Sequence, residues 1–191
     1  MVKVALIGKC RAGKDQFASY FIENGYKEFK FGTGIAEIIQ RYFPEEWAKG
    51  KPRYLYQQIG QGMREHDPDV WIKYTFRQIE EYERYVELFN YFDCKVIITD
   101  TRQRNEVEKL RAAGYIIVKI EADEKIRLER MKAAGDILPD DNYQLYQLLN
   151  HETEQYSDLV VPNILVKNEG TLEDLRKKAE GVMRLIEDNN N

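Results

Sequence analysis

The stretch VKVALIGKCRAGKD at residues 2–15 decides the fold. Its first half is mostly apolar, which is typical of a buried strand. Residues 8–15 then read GKCRAGKD, in which Gly8, Gly13 and Lys14 occupy fixed positions of the pattern G-x-x-x-x-G-K-[ST]. Glycines let the backbone turn its N–H groups around phosphate oxygens, and the helix that follows adds its positive N-terminal end. The stretch therefore predicts a strand, a phosphate-binding loop and a helix.

One position of the loop departs from the pattern, because Asp15 stands where a serine or threonine hydroxyl normally contacts Mg²⁺. A carboxylate is itself a good ligand for a hard cation, and its charge beside ATP is tolerable where Mg²⁺ or arginine neutralises it. We therefore expect Asp15 to bind the metal. The alternative for the loop is a glycine-rich turn with a solvated lysine. The loop residues expected to bind ATP are Gly8, Lys9, Arg11, Ala12, Gly13, Lys14 and Asp15.

The composition limits the class of protein. With 191 residues, of which 43% are hydrophobic, the chain has the size and apolar content of one globular domain. Its 29 basic and 33 acidic residues give a net charge of −4, so we expect neither a nucleic acid polymer nor a membrane as partner. Two cysteines, one of them Cys10 in the loop, argue against a disulfide-stabilised secreted fold and favour the cytoplasm. The two histidines, His66 and His151, show no zinc-ligand spacing.

Strand patterns alternate with helical patterns along the whole chain. The strands are predicted at residues 2–7, 26–31, 95–99, 115–121 and 159–166. The helices are predicted at residues 14–24, 35–43, 54–92 with a break near Asp67, 102–113, 124–134, 142–156 and 172–186. This alternation predicts an α/β protein with three layers, in which helices cover both faces of a parallel five-stranded sheet. We expect one domain over residues 1–191, with 33–92 as a helical insertion.

A second acidic residue, Asp100, ends the run KVIITD at the position of a Walker B carboxylate. Ligands of parallel sheets bind beyond the carboxyl ends of the strands, so Asp100 and the loop are expected to face the same crevice. We expect Asp100 to bind Mg²⁺ and to take part in catalysis, where it can also orient the acceptor. The alternative is that Asp100 only caps the helix that begins near Arg102.

Two arginines are candidates for binding a phosphorylated acceptor. Arg64 follows Gln58 and Gln61 in a segment too polar for a core, which favours contact with a ligand over packing. Arg102 follows the second acidic residue at the end of a strand and receives the same assignment. Such cations stabilise the negative charge that phosphoryl transfer concentrates on the transferred group.

Two further arginines, Arg127 and Arg130, share one side of a predicted helix because they are three residues apart. They precede the segment AAGDILPDDN, whose glycine and proline can hinge a lid over residues 124–145. In that case both guanidinium groups serve catalysis. The alternative is that both lie on a solvated helix surface.

Three segments together resemble the P-loop nucleoside monophosphate kinases, most closely the phage-type deoxynucleoside monophosphate kinases. They are GKCRAGKD, YQQIGQGMREHDPDVWI and VIITDTRQRNEVEKLRAAG, which match the family's phosphate loop, acceptor segment and post-Walker-B segment in order. The aspartate of the loop is typical of that group, whereas Gln61 stands for a usual threonine. The resemblance implies a P-loop NTPase fold with a helical acceptor-binding insertion and a lid, ATP as co-substrate, and Mg²⁺.

The resemblance also implies residue roles. It places Asn168 and Gly170 at the edge of the adenine site. The residues that it places in acceptor binding are Gln58, Gln61, Arg64 and Arg102. The residues assigned to catalysis are Lys14, Asp100, Arg102, Arg127 and Arg130.

The sequence therefore predicts a transferase of nucleotide metabolism, a kinase that uses ATP to convert a nucleoside or deoxynucleoside monophosphate to its diphosphate. Animal-type phosphomevalonate kinases resemble the chain in GKD, REHDP and TDTR, and dephospho-coenzyme A kinases resemble it in VKNEGTLEDL. A nucleotide-binding regulator without transferase activity is the alternative from another class. The expected partners are ATP and a phosphorylated small-molecule acceptor, and the expected assembly is a monomer or homodimer.

Overall fold

The computed structural model describes residues 1–89, 94–134 and 152–189. Backbone packing divides the chain into two compact units. The first unit comprises Met1–Glu28 and Lys95–Asn191, and the second comprises Phe29–Cys94. The sequence predicts a single domain with an insertion at residues 33–92, of which residues 90–92 lie outside the described part of the chain, and this organisation stays a prediction. The assignment of the insertion to acceptor binding stays a prediction as well.

The described residues form strands and helices in the predicted alternation. In chain order they are β1 (Val2–Ile7), α1 (Lys14–Glu23), β2 (Lys27–Phe29), α2 (Thr33–Tyr42), α3 (Pro44–Ala48), α4 (Arg53–His66), α5 (Val70–Leu88), β3 (Lys95–Thr101), α6 (Arg104–Ala112), β4 (Ile116–Glu121), α7 (Glu124–Ala133), α8 (Glu152–Leu159), β5 (Ile164–Lys167) and α9 (Leu172–Asp188). Among these, no helix is both long and apolar enough to cross a membrane.

The strands form one five-stranded sheet in the order β2-β3-β1-β4-β5. β1 runs parallel to β3 and to β4, and β4 runs parallel to β5. The predicted parallel five-stranded sheet is therefore confirmed. Because these strands share one direction, the segments that follow β1, β3, β4 and β5 all leave the sheet at the same edge.

The central strand β1 is buried on both faces. Val4 and Leu6 lie in an apolar cluster with Phe17 of α1 and Leu175 of α9. Ala5 alternates with them along the strand, so it faces the other side, and it is equally buried. A strand covered by helices on both faces reads as a continuous apolar run, which explains the sequence VALI. The three-layer prediction is confirmed.

The last strand differs most from its prediction. β5 is Ile164–Lys167, whereas the sequence predicts a strand at residues 159–166. Leu159 instead ends α8, and Pro162 lies in the connection, because proline has no N–H to give to a sheet. Asn163 starts the pairing with β4, since its N–H donates to the oxygen of Ile117 (2.9 Å) and its Oδ1 accepts from the Ile117 N–H (2.8 Å).

Two other differences concern helices. α3 forms between the helices predicted at residues 35–43 and 54–92, where the sequence predicts neither a helix nor a strand. Pro44 begins it, and Glu45 and Glu46 lie in its first turn, where negative charge is favourable. The helix predicted at residues 142–156 is described only from residue 152 onward, and residues 142–151 lie outside the described part of the chain.

The second unit is a group of helices that approach closely at glycines. A Cβ added to Gly34 of α2 would lie 3.0 Å from Trp71 of α5. A Cβ added to Gly60 of α4 would lie 3.0 Å from Ile35 of α2. The indole N–H of Trp71 donates to the oxygen of Gly60 at 3.0 Å, so this crossing is fixed by a buried hydrogen bond as well as by packing.

Candidate active site

The loop between β1 and α1 contains two glycines that no other residue can replace without displacement of a neighbour. Gly8 has φ of 156°, and a Cβ there would overlap the backbone oxygen of Ile120 in β4. Gly13 has φ of 104° and directly precedes α1, and a Cβ there would overlap the side-chain amide of Asn168. Because β4 approaches Gly8 and Asn168 approaches Gly13 this closely, both motif positions require a residue without a side chain.

The ammonium group of Lys14 lies against the loop itself. Its Nζ donates to the oxygen of Gly8 at 2.6 Å and to the oxygen of Lys9 at 3.0 Å. Burial lowers the pKa of Lys14, and the positive charge of Arg102 lowers it further, whereas Glu154, Cys10 and Asp15 act in the opposite direction. Lys14 is thus a partly desolvated cation at the point where the motif predicts phosphate.

Both arginines of α7 also contact the loop. The guanidinium of Arg127 is 2% exposed, and its Nη1 donates to the oxygen of Cys10 at 3.4 Å. Arg130 donates through Nη1 to the oxygens of Arg11 (3.3 Å) and Ala12 (3.4 Å). The solvated-surface alternative is therefore wrong for Arg127. The predicted lid at residues 124–145 is described only as far as residue 134, so its remainder lies outside the described residues.

Asn168 lies behind the loop and is 4% exposed. Its Nδ2 donates to the oxygen of Ala12 at 2.8 Å, and its N–H donates to the oxygen of Glu121 at 2.6 Å. Its own oxygen accepts from Nη2 of Arg130 at 3.1 Å. Asn168 therefore joins the loop to the ends of β4 and β5, a contact for which the sequence pattern gives no signal. Gly170, two residues further along the chain, is exposed.

A residue that the sequence analysis does not identify, Glu154 of α8, also reaches the loop. Its Oε2 accepts the N–H of Cys10 at 2.7 Å and lies 3.8 Å from Nη1 of Arg127. One turn later on the same helix, Asp158 pairs with the ammonium of Lys9 at 2.7 Å. The spacing of four residues between these two acids is the only local signal, and nothing local connects it to a loop 144 positions away.

Asp100 lies inside β3, whereas the sequence places it just beyond the strand. The pairing with β1 aligns Ala5 with Ile98 but Ile7 with Thr101, so β3 carries one extra residue here. Such a bulge turns a side chain away from the regular alternation and is common beside active sites. Asp100 is half-buried at this edge.

The alternative role of Asp100, as a helix cap, is wrong. The residue before α6 is Gln103, and the capping carboxylate is that of Glu106. Glu106 accepts the N–H of Arg102 at 2.7 Å and the N–H of Gln103 at 2.9 Å. The buried Glu106 therefore fixes the turn that follows Asp100.

The residues present fit Mg²⁺ held together with a phosphate. Within the described ranges, no three His, Cys, Asp or Glu side chains converge as a metal cluster. Mg²⁺ does not require one, because it keeps several waters and is usually bound through one or two carboxylates plus substrate phosphates. Two carboxylates of that kind are present. Asp15 is exposed in the first turn of α1, which follows β1, and Asp100 lies near the end of β3.

The residues predicted to bind the acceptor fall into both units. Arg102 belongs to the first unit, where its charge acts on Lys14. Gln58, Gln61 and Arg64 lie along one side of α4 in the second unit, the two glutamines exposed and the arginine half-buried. Their role stays a prediction.

Beside the loop lies a cavity of about 240 Å³. Lys9 and Ala12 of the loop, Ser157 and Asp158 of α8, and Glu169 after β5 are among the residues that line it. Its walls are mostly polar side chains and the backbone that leaves β4 and β5, so it opens at the same edge of the sheet as the loop.

No protein-family model matches the sequence, and no curated protein sequence matches it. Solved structures, in contrast, resemble the structure of this chain. TT1252 from Thermus thermophilus aligns with a TM-score of 0.60 at 15% identity, covering 96% of each chain. A shikimate kinase from Acinetobacter baumannii, solved with shikimate, aligns with a TM-score of 0.57 at 17% identity, covering 99% of this chain and 94% of that one. A gluconokinase from Sinorhizobium meliloti aligns with a TM-score of 0.55 at 18% identity, covering 99% and 95%.

These likenesses extend over almost the whole chain, and at such low identity they concern the fold and not the substrate. The parallel sheet, the glycine-lysine loop after β1 and the helices on both faces agree with them. The chain therefore has the fold of the P-loop kinases.

Proposed function

We propose that this protein is an ATP-dependent phosphotransferase that converts a nucleoside or deoxynucleoside monophosphate to its diphosphate. The observation that carries the proposal is the arrangement around the loop. The N–H of Cys10 already donates to an anionic oxygen, and Lys14, Arg127 and Arg130 all contact the loop. Such a concentration of donors and cations is what the phosphates of ATP require.

Phosphoryl transfer depends mainly on positioning and on stabilisation of charge, because it needs little covalent help from the protein. Lys14 would exchange its hydrogen bonds to the oxygens of Gly8 and Lys9 for phosphate oxygens. Arg102, whose charge already acts on Lys14, would withdraw charge from the transferred group on the acceptor side. Asp15 and Asp100 would hold Mg²⁺, which when bound screens the phosphate charges and orients them.

The cavity beside the loop supports a place for the adenine base. It lies between the loop and Glu169, next to the segment that the family resemblance assigns to the adenine site. In this proposal Asn168 acts from behind, through its hydrogen bond to Ala12, and does not read the base itself.

The identity of the acceptor rests on the sequence resemblance. Nucleoside monophosphates are favoured by the segment YQQIGQGMREHDPDVWI, which includes Gln58, Gln61 and Arg64 on α4. The similar solved structures include enzymes named for shikimate and gluconate, which are sugar-like acids and not nucleotides. A direct assay of acceptors therefore tests this assignment separately from phosphoryl transfer itself.

The test is a panel of acceptors scored by ADP release and by mass of the product. It contains the common ribo- and deoxyribonucleoside monophosphates, phosphomevalonate, dephospho-coenzyme A, shikimate and gluconate. We expect turnover with one or a few nucleoside monophosphates, at least about 100-fold above the other compounds, because a site that hydrogen-bonds a base rejects ligands without it. Turnover only with a compound that is not a nucleotide would replace the acceptor and keep the phosphotransferase.

Replacing Asp15 with alanine is expected to raise the Mg²⁺ concentration for half-maximal activity by about tenfold, the change given by a loss of about 1.4 kcal/mol. The reason is that one of two carboxylates available to the ion is removed. Activity is measured across a magnesium titration at fixed ATP. Asp15→Ser should restore much of the wild-type curve, because its hydroxyl is the usual group at this position.

The control is Glu23→Ala, which removes an exposed acid from the other end of α1. It should leave the titration unchanged. A magnesium curve for Asp15→Ala that coincides with the wild-type curve would exclude a metal role for this carboxylate and leave it a favourable charge at a helix N-terminus.

A further inference from the structure

Helix α8 places two acids on the phosphate-binding loop, and neither belongs to the motif. Glu154 accepts the Cys10 N–H at 2.7 Å, and Asp158 pairs with Lys9 at 2.7 Å. Both contacts involve consecutive residues of the loop. The side chain of Glu154 is only 12% exposed, so its carboxylate is held at the loop and is not directed into solvent.

The surroundings of the Glu154 carboxylate are those of a bound anion. Besides the backbone N–H, it lies 3.8 Å from the buried guanidinium of Arg127, and its charge raises the pKa of Lys14 against the effects of burial and of Arg102. A backbone N–H in a glycine-rich loop, an arginine and the motif lysine are the groups that hold phosphate oxygens in such loops. The carboxylate accepts from the first of these groups and lies near the second, and its charge acts on the third.

We propose that Glu154 is an internal competitor of ATP, whose carboxylate takes the place of a phosphate oxygen on the Cys10 N–H until nucleotide displaces it. This inference rests on the proposed function, because it assumes that the loop binds ATP phosphates. It adds a regulation of the site: the affinity for ATP depends on how firmly α8 holds the loop.

The two occupants exclude each other for a physical reason. One N–H donates one strong hydrogen bond, and a carboxylate beside a phosphate adds repulsion between like charges in a partly desolvated site. ATP therefore binds to the fraction of molecules in which Glu154 has left the loop. If that fraction is about one in ten, the apparent dissociation constant is about tenfold weaker than the intrinsic one.

The test compares wild type with Glu154→Gln, which removes the charge and keeps the size of the side chain. We expect the dissociation constant of Mg·ATP, measured by isothermal titration calorimetry, to fall by about tenfold. Pyrophosphate should gain a similar factor, whereas adenosine, which has no phosphate, should bind unchanged. The nucleotide-free variant should melt at a lower temperature than wild type, because the contact with the loop is weaker.

The matched control is Glu180→Gln. Glu180 pairs with Arg176 of the same helix, α9, at 3.3 Å, so the variant removes an acid that is paired with an arginine away from the loop. Its affinity for Mg·ATP should equal that of wild type. Asp158→Asn, which removes the pair with Lys9, is a second variant of the same kind and should tighten binding by a smaller factor.

The outcomes separate the two proposals. Equal affinities of wild type, Glu154→Gln and Asp158→Asn for Mg·ATP, or weaker binding by the variants, would overturn the competition and leave the phosphotransferase standing. Absence of Mg·ATP binding by all three folded proteins would overturn the proposed function and the competition with it. If Glu154→Gln does not fold, the comparison of Asp158→Asn with wild type decides in the same way.

Discussion

Replacing Lys14 with alanine is expected to lower phosphotransfer by at least about 10²- to 10³-fold, the effect typical of removing one preorganised electrostatic donor from a transition state. The ammonium is partly desolvated and already lies at the loop, on the oxygens of Gly8 and Lys9. The low dielectric constant of a partly desolvated site strengthens the interaction between the ammonium and phosphate. Water in the place of the ammonium therefore cannot supply the same stabilisation.

The measurement is kcat and KM under saturating Mg²⁺, together with a thermal melt that checks the fold. Lys132→Ala removes an exposed lysine from the last turn of α7 and serves as the control for loss of one positive charge. It should retain wild-type kcat. Unchanged turnover of a folded Lys14→Ala protein would exclude the loop as the site of phosphotransfer.

Replacing Gly8 with alanine is expected to lower the free energy of unfolding by about 3 kcal/mol and to weaken ATP binding, since overpacking costs typically 1–3 kcal/mol and more where nothing can move. The added Cβ meets the backbone oxygen of Ile120. That residue lies in β4, which pairs with β1 on one side and with β5 on the other. Relief of the overlap therefore requires displacement of the sheet or of the loop.

The cost is measured as the shift in the urea unfolding midpoint. Gly25→Ala is the control, because Gly25 has φ of 87° but no neighbour within 4 Å of its added Cβ, so it reports the conformational cost alone, about 1–2 kcal/mol. The difference between the two variants gives the cost of the overlap. Equal destabilisation by both would contradict the close approach of the loop to β4.

Much of the first unit follows from local patterns in the sequence. The strand at residues 2–7 is predicted with its observed bounds, because buried parallel strands read as apolar runs. The loop and the start of α1 at Lys14 follow from the spacing of two glycines and a lysine. These features are local, so adjacent residues contain the information.

The contacts that build the candidate site are not local. Glu154 lies 144 positions from Cys10, and Asn168 lies 156 positions from Ala12. Hydrophobic periodicity has no information about which polar side chain meets which backbone group across the sheet. For the same reason, the helical spacing of Arg127 could not distinguish a solvated residue from one that is buried beside the loop.

The strand ends depend on pairing partners as well as on composition. β3 continues through Asp100 to Thr101 because β1 accompanies it with a shifted register. β5 begins late because the chain before it contains Pro162, and the pairing with β4 starts only at Asn163. Both corrections concern polar or irregular residues at the edge of the sheet where the side chains expected to bind the metal lie.

The carbonyl oxygens of the loop from Gly8 to Ala12 all accept hydrogen bonds from the protein. The oxygens of Gly8 and Lys9 accept from Lys14, that of Cys10 from Arg127, and that of Ala12 from Asn168. A peptide unit whose oxygen is held in this way has little freedom to rotate, so its N–H keeps one direction before any ligand arrives. These hydrogen bonds preorganise the loop, so the binding of a phosphate there would cost little free energy for ordering the backbone.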